Sequence, residues 1–272
     1  TISSKLDDKL FDSSVGLALH EGSHIKLSDF NFLKNLEYEI PRELYDLGYK
    51  KGFKDYEVQS YVKNLLNYVE DRRIDNFVFT TSPGYKGYYH SMYDKYFYSK
   101  IIDKALQSTE HTDEVIKSYM FRIINLTNVN TKLGALKGLR KIWNTIDVKN
   151  IGRLKDTRDA FKVASEVMFI ILNNLGDGTV TKDEFGNENL EKANGPNKTS
   201  NRFDGMTPNE FADQMDIEEG GIDPQLIKEQ YTDLSDNQKR QLENALKKQD
   251  KFMRGDIQKK KVTKKIQSEL SN

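Results

Sequence analysis

The sequence has no cysteine, which excludes disulfides, thiolate nucleophiles and thiolate metal sites and fits a reducing compartment. It has no excess charge of either sign, since 42 Lys and Arg balance 42 Asp and Glu. A nucleic-acid binder held by bulk electrostatics is therefore not expected. No apolar run approaches the ~18 residues that read as a membrane span. The longest such stretch, residues 167–172, has the length of a core-helix segment. The opening residues, Thr1-Ile2-Ser3-Ser4-Lys5-Leu6-Asp7-Asp8, carry no signal-peptide apolar region, and no internal repeat is visible. These absences point to a cytoplasmic protein with no membrane and no nucleic acid among its partners.

What is present is a chain of 272 residues, 36% hydrophobic and 31% charged. That length suggests one large domain, or one domain with an extension. It suffices for a sizeable core, although this composition implies that part of the chain lies outside it. Helical periodicity dominates the first 175 residues. Asp12-Ser13-Ser14 offers N-cap side chains ahead of an apolar segment at 15–27. Asp55 is placed to cap a long helix from 56 to about 79, whose Val58, Tyr61, Val62, Leu65, Leu66, Val69 and Ile74 follow a 3.6-residue period. Ser82-Pro83-Gly84 signals a turn before a tyrosine-rich stretch at 85–98, and further helical patterns cover 113–126, 132–143 and 156–175. Strand alternation is scarce. From Gly176 the composition turns to Gly, Asn, Asp, Glu, Lys and Thr, with little capacity to offset the entropy of ordering. Residues 235–269 then give a charged helical pattern that is either solvated or in need of a partner. The expected fold is mainly α: a helical domain at 1–175, a flexible polar linker at 176–224 and a charged helical tail at 225–272. Two weaker signals have bland readings. The stretch 173–184 imitates a calcium loop but puts Leu175 where an oxygen ligand is needed, so it reads as a polar turn. The run Lys259-Lys260-Lys261 with Lys264-Lys265 reads as a solvated helix end.

The most specific signal is His20-Glu21-Gly22-Ser23-His24, an H-E-x-x-H sequence inside the first helical segment. Residues i and i+4 project from one helix face, so two imidazoles can hold one ion. Zinc suits imidazole nitrogen and tolerates an open coordination position. Glu21, next to the first histidine, can then take a proton from water and return it to a leaving amine. The competing reading is a chance match on a solvated helix. Leu17, Ala18, Leu19 and Ile25 argue against it by making the segment apolar, and Gly16, Ala18, Gly22 and Ser23 are small enough for another backbone to approach.

A zinc site needs a third protein ligand. The longer motif with a third histidine is absent, because Leu27 and Phe30 stand at its Gly and His positions. Asn67-Tyr68-Val69-Glu70-Asp71-Arg72-Arg73-Ile74-Asp75 is the better source. Glu70 follows the apolar Leu66 and Val69, and a buried carboxylate needs a partner that a metal would supply. Glu70 is thus the first choice, giving a His20/His24/Glu70 set, and Asp71 the second. Asp71 or Asp75 would alternatively orient an imidazole from behind. Simple pairing of Glu70 and Asp71 with Arg73, Arg72 or Lys63 is the structural alternative. In the segment Pro83-Gly84-Tyr85-Lys86-Gly87-Tyr88-Tyr89-His90, His90, followed by Tyr88 and Tyr89, is the candidate donor to a developing oxyanion; packing at a loop–helix junction is the other reading.

Leu19-His20-Glu21-Gly22-Ser23-His24-Ile25 followed by Asn67-x-x-Glu70-Asp71-x-Arg73 resembles the helical zincin-type metallopeptidase domain found beside von Willebrand factor A domains in bacteria and tailed phages, and its cobaltochelatase relatives. The resemblance covers about residues 10–100. It implies a zincin-like helical fold, Zn2+ on His20, His24 and an acid of the second element, Glu21 as base, and a protein or peptide substrate. It also implies virion proteins, or proteins with A-domains or ATPase domains, as partners, in a bacterial or phage-infected cytoplasm or on a virion. The A-domain's D-x-S-x-S motif is not in this sequence. Because the cobaltochelatase relatives are not clearly peptidases, the resemblance leaves a second reading: a non-catalytic assembly or binding protein whose zinc site is structural or degenerate.

Overall fold

The structure, a computed structural model, describes residues 8–176, 180–182, 188–190 and 233–254. It is mainly helical. In chain order the α-helices are α1 (Asp8–Leu27), α2 (Phe30–Lys34), α3 (Leu36–Glu39), α4 (Arg42–Lys50), α5 (Asp55–Thr81), α6 (Lys86–Tyr96), α7 (Lys100–Leu106), α8 (Ile116–Ile124), α9 (Leu139–Ile146), α10 (Thr157–Asn174) and α11 (Asp236–Met253). Among the described residues the strands are one short antiparallel pair, Val180–Lys182 with Glu188–Leu190. No described helix is long and apolar enough to cross a membrane.

The helix α5 is the central element, packed by α1, α4, α10 and α11. Its N-terminus is closed by the Lys54 N–H donating to Glu57 Oε2 at 2.9 Å, a carboxylate placed where the helix dipole favours it. Val58, Val62, Leu65, Leu66 and Val69 join Leu44, Tyr119, Ile142, Val167 and Ile171 in the main apolar core. Further along, every residue from Tyr68 to Asp75 is buried, so the helix there has no solvent face. The helix α10 starts where Asp156 accepts from the Asp159 N–H at 2.9 Å, an N-cap of ordinary type.

The helix α1 begins earlier than its sequence suggests. Asp12, Ser13 and Ser14 lie within it and not at its start. Ser13 is buried and accepts from Lys95 Nζ of α6 at 3.3 Å, so contact between helices outweighs the local preference of serine for a cap. Gly16 is where α6 comes closest. A Cβ there would lie 2.3 Å from the Tyr88 carbonyl oxygen, so only glycine permits this approach. Gly22, by contrast, has open space around it.

The charged helix α11 is not solvated all round: it packs on α5, α6 and α7. Most of the expected linker, part of the calcium-loop-like stretch and the Lys259–Lys265 run lie outside the described residues.

Candidate metal centre

The helices α1 and α5 run antiparallel, so a rising register on one meets a falling register on the other: His20 meets Asp75, His24 meets Asp71, and Ser28 meets Glu70. The two histidines lie one turn apart with ring centroids 4.9 Å apart and planes nearly perpendicular. Asp71 Oδ1 faces the Nε2 atoms of both, at 3.1 Å from His24 and 3.7 Å from His20. The ligand atoms of His20, His24 and Asp71 all lie within 4.8 Å of one another. Ligands about 2.1 Å from a tetrahedral ion are about 3.4 Å from each other, so both distances to Asp71 match the edges of such a site.

The opposite sides of the rings are also occupied. His20 Nδ1 lies 3.0 Å from Asp75 Oδ1, and His24 Nδ1 lies 3.0 Å from Ser28 Oγ. A proton on each Nδ1 would leave both Nε2 lone pairs facing Asp71, the arrangement by which carboxylates and hydroxyls orient metal-binding imidazoles. Asp75 in turn accepts from the Tyr93 hydroxyl, which accepts from Arg72. The Arg72 guanidinium also lies 3.6 Å from Asp75 and stacks on Tyr93.

These charges set the titration of the buried groups. Burial pulls the His20 pKa down, but the charges of Asp75 and Asp71, the hydrogen bond that His20 donates to Asp75 and the charge of Glu21 outweigh it and raise the value to about 9. Burial pushes Asp75 up, and the pairing with His20, Arg72 and Tyr93 holds it below the usual carboxylate range. Burial, reinforced by Asp75 and Asp71 although Arg72 opposes it, raises Tyr93 well above an ordinary phenol. Tyr93 is therefore a donor and not a phenolate.

Two of the expected metal ligands, His20 and His24, come together, joined by Asp71. Glu21 is half-buried and close enough to act electrostatically on His20. Glu70 is not the acid that reaches the imidazoles. Its carboxylate is held by Arg73 in a two-pronged pair at 2.7 and 2.8 Å and accepts from Ser28 and Thr157, each at 2.8 Å. Arg73 continues to the Leu27 carbonyl, so this cluster ties α1, α5 and α10 together. One step along a helix turns a side chain by about 100°, which is why Asp71 and not Glu70 enters the space between the histidines. His90 is exposed, while the inward face of α6 carries Tyr89, Met92, Tyr93 and Tyr96. The aromatic groups at His20 are Tyr89, at a ring separation of 6.4 Å, and Phe252 of α11, at 5.2 Å.

Arg72, Tyr93, Thr157 and Phe252 did not follow from the sequence as parts of this centre. Asp71 and Asp75 had a readable signal: like His20 and His24 they are four residues apart, and two such pairs on antiparallel helices can face each other. No protein-family model, curated protein or solved structure matches the chain.

Proposed function

We propose that the chain is a zinc-dependent hydrolase of peptide bonds, with the ion held by His20, His24 and Asp71. The observation that carries this is the pair of Nε2 atoms converging on Asp71 Oδ1 while both Nδ1 atoms are engaged behind. A bound zinc ion would act as a Lewis acid toward water and the scissile carbonyl. The protein's own part is to hold three ligand atoms in one place and supply a base beside them. Glu21 takes a proton from the attacking water and passes it to the departing amine. Asp75, backed by Tyr93 and Arg72, keeps the His20 ring turned and its Nε2 basic. The resemblance to the A-domain-associated metallopeptidases supports a protein substrate and a cytoplasmic or virion setting.

The burial of His20 among α1, α5, α6 and α11 favours one other reading, a zinc site that joins helices without hydrolysis. Metal analysis with paired variants separates the two. In the hydrolase, His20→Ala loses stoichiometric zinc, and Glu21→Gln keeps zinc while losing at least about 100-fold in cleavage of a sensitive protein substrate. Equal cleavage by Glu21→Gln and the parent would overturn the catalytic assignment.

A further inference from the structure

The chain's last described helix ends on the metal centre. Phe252 is buried, with its ring 5.2 Å from that of His20 and inclined by 35°, and it is enclosed by Tyr93, Tyr96 and Phe97. Asn67 Nδ2 of α5 donates to the Met253 carbonyl at 3.1 Å. One turn back, the Gln249 amide is fully buried and exchanges hydrogen bonds with Asn125, at 2.9 and 3.3 Å. At the other end Leu242 packs with Ile102, Leu106 and Phe121. Under this helix the His20 side chain is 3% exposed, whereas that of His24, beyond its reach, is 22% exposed.

The helix is nevertheless weakly committed to this place. Eleven of its eighteen residues are exposed, and its fully buried contact is the narrow stripe Leu242, Gln249 and Phe252. A polar amide pair lies in the middle of that stripe, where an apolar residue would bind without directional demands. A helix of this length and polarity has marginal stability alone and depends on its docking. In the sequence 61 residues, 175–235, separate it from α10. Contacts of this kind, few and partly polar, mark elements that open below the global unfolding free energy.

We infer that α11 is a displaceable cover on the metal centre, and that its undocking as a unit uncovers His20. The described arrangement is then the closed form, and a partner that offers a competing amphipathic helix to the groove between α5, α6 and α7 would open it. This rests on the metal reading above. Phe252 alone could be simple packing on an imidazole, so the decisive residue is the remote one. Leu242 is ten residues from Phe252, about 15 Å along the helix axis, and packs in a different apolar cluster from Phe252.

The test uses the full chain loaded with zinc, and follows release of the metal into excess chelator. Both Phe252→Ala and Leu242→Ala are expected to release zinc roughly tenfold faster or more than the parent, since each removes a large part of a small docking contact. Hydrogen exchange supplies the second measurement: amides of α11 should speed up in both variants while those of α10 keep their protection. Faster release in Phe252→Ala alone would reduce Phe252 to packing and overturn the cover, and so would acceleration spread equally over α10 and α11. A parent chain that takes up no zinc would overturn the metal reading and the cover with it; zinc uptake with equal release from all three chains would overturn the cover alone.

Discussion

The proton and the metal ion compete for the same atom of His20, and this competition fixes a pH dependence. In the metal-free chain the His20 pKa is raised from 6.5 to about 9. A raised pKa means that the folded state binds the proton more tightly than the unfolded state. The stabilisation is therefore complete below pH 6.5 and is lost as pH rises through about 9. The shift corresponds to about 3 kcal/mol, removed progressively between those limits. Asp75 stays ionised throughout this range, because its own shift is downward. His111 has the opposite sign. Burial, with the charges of Lys117 and Arg122, lowers it to about 3, so it weakens the fold only as pH falls below 6.5. The metal-free chain should thus be most stable near pH 6.5. Zinc requires the neutral imidazole. Its affinity should rise about tenfold per pH unit up to about 9, roughly 300-fold from pH 6.5. Denaturant titrations at fixed pH read the first effect, and competition with a chromophoric chelator of known protonation reads the second. Asp75→Asn should remove most of both, because the Asp75 carboxylate is the strongest of the charges that raise His20. Stability that does not fall between pH 6.5 and 9, together with a pH-independent zinc affinity, would refute the buried His20–Asp75–Asp71 arrangement.

The two neighbouring acids of α5 should behave differently on mutation. Asp71→Asn is expected to weaken zinc binding by at least about 100-fold with the fold retained. Glu70→Gln should keep zinc but lower the unfolding free energy by about 3 kcal/mol, because it leaves the buried Arg73 guanidinium without its counter-charge. Metal titration and denaturant unfolding of both variants check this, and zinc loss in Glu70→Gln alone would reinstate Glu70 as the ligand. The two glycines of the motif helix form a further contrast. Gly16→Ala should cost roughly 2 kcal/mol, because its methyl group meets the Tyr88 carbonyl. Gly22→Ala, in open space on the same helix, should stabilise by about 0.5–1 kcal/mol. Calorimetry that ranks them the other way would contradict the packing of α1 on α6.

What could be read from the sequence divides according to how local its cause is. His20 and His24 were legible because one helical turn is a property of the chain alone. The existence of α5 and α10 was legible from the helical pattern of the sequence. The choice between Glu70 and Asp71 was not, because it depends on the rotational phase of α5 against α1. An apolar stripe fixes that phase only when the opposite face meets solvent. Between Tyr68 and Asp75 there is no such face, so Leu66 and Val69 could not say which acid points at the histidines. On α6, too, one residue decides the facing: His90 is exposed and Tyr89 points inward. Phe252 was beyond reach for a different reason: 232 residues separate it from His20, and no local pattern encodes where a charged helix docks.

The buried segment of α5 also carries an argument of its own. It contains five charged residues, and burying a charge without a partner is costly. Glu70 and Arg73 neutralise each other, and Arg72 neutralises Asp75 with Tyr93 between them. Asp71 remains; among the described residues its ion pairs are with two imidazoles, and the Arg72 guanidinium feels its charge from farther off. Its charge can be met by a proton on His20, whose pKa it raises second to Asp75, or by a divalent cation shared with both rings. A purely structural ion pair would need one histidine. The second one, set a turn away with its Nε2 aimed at the same carboxylate oxygen, is what the proposed metal site requires and a single ion pair does not.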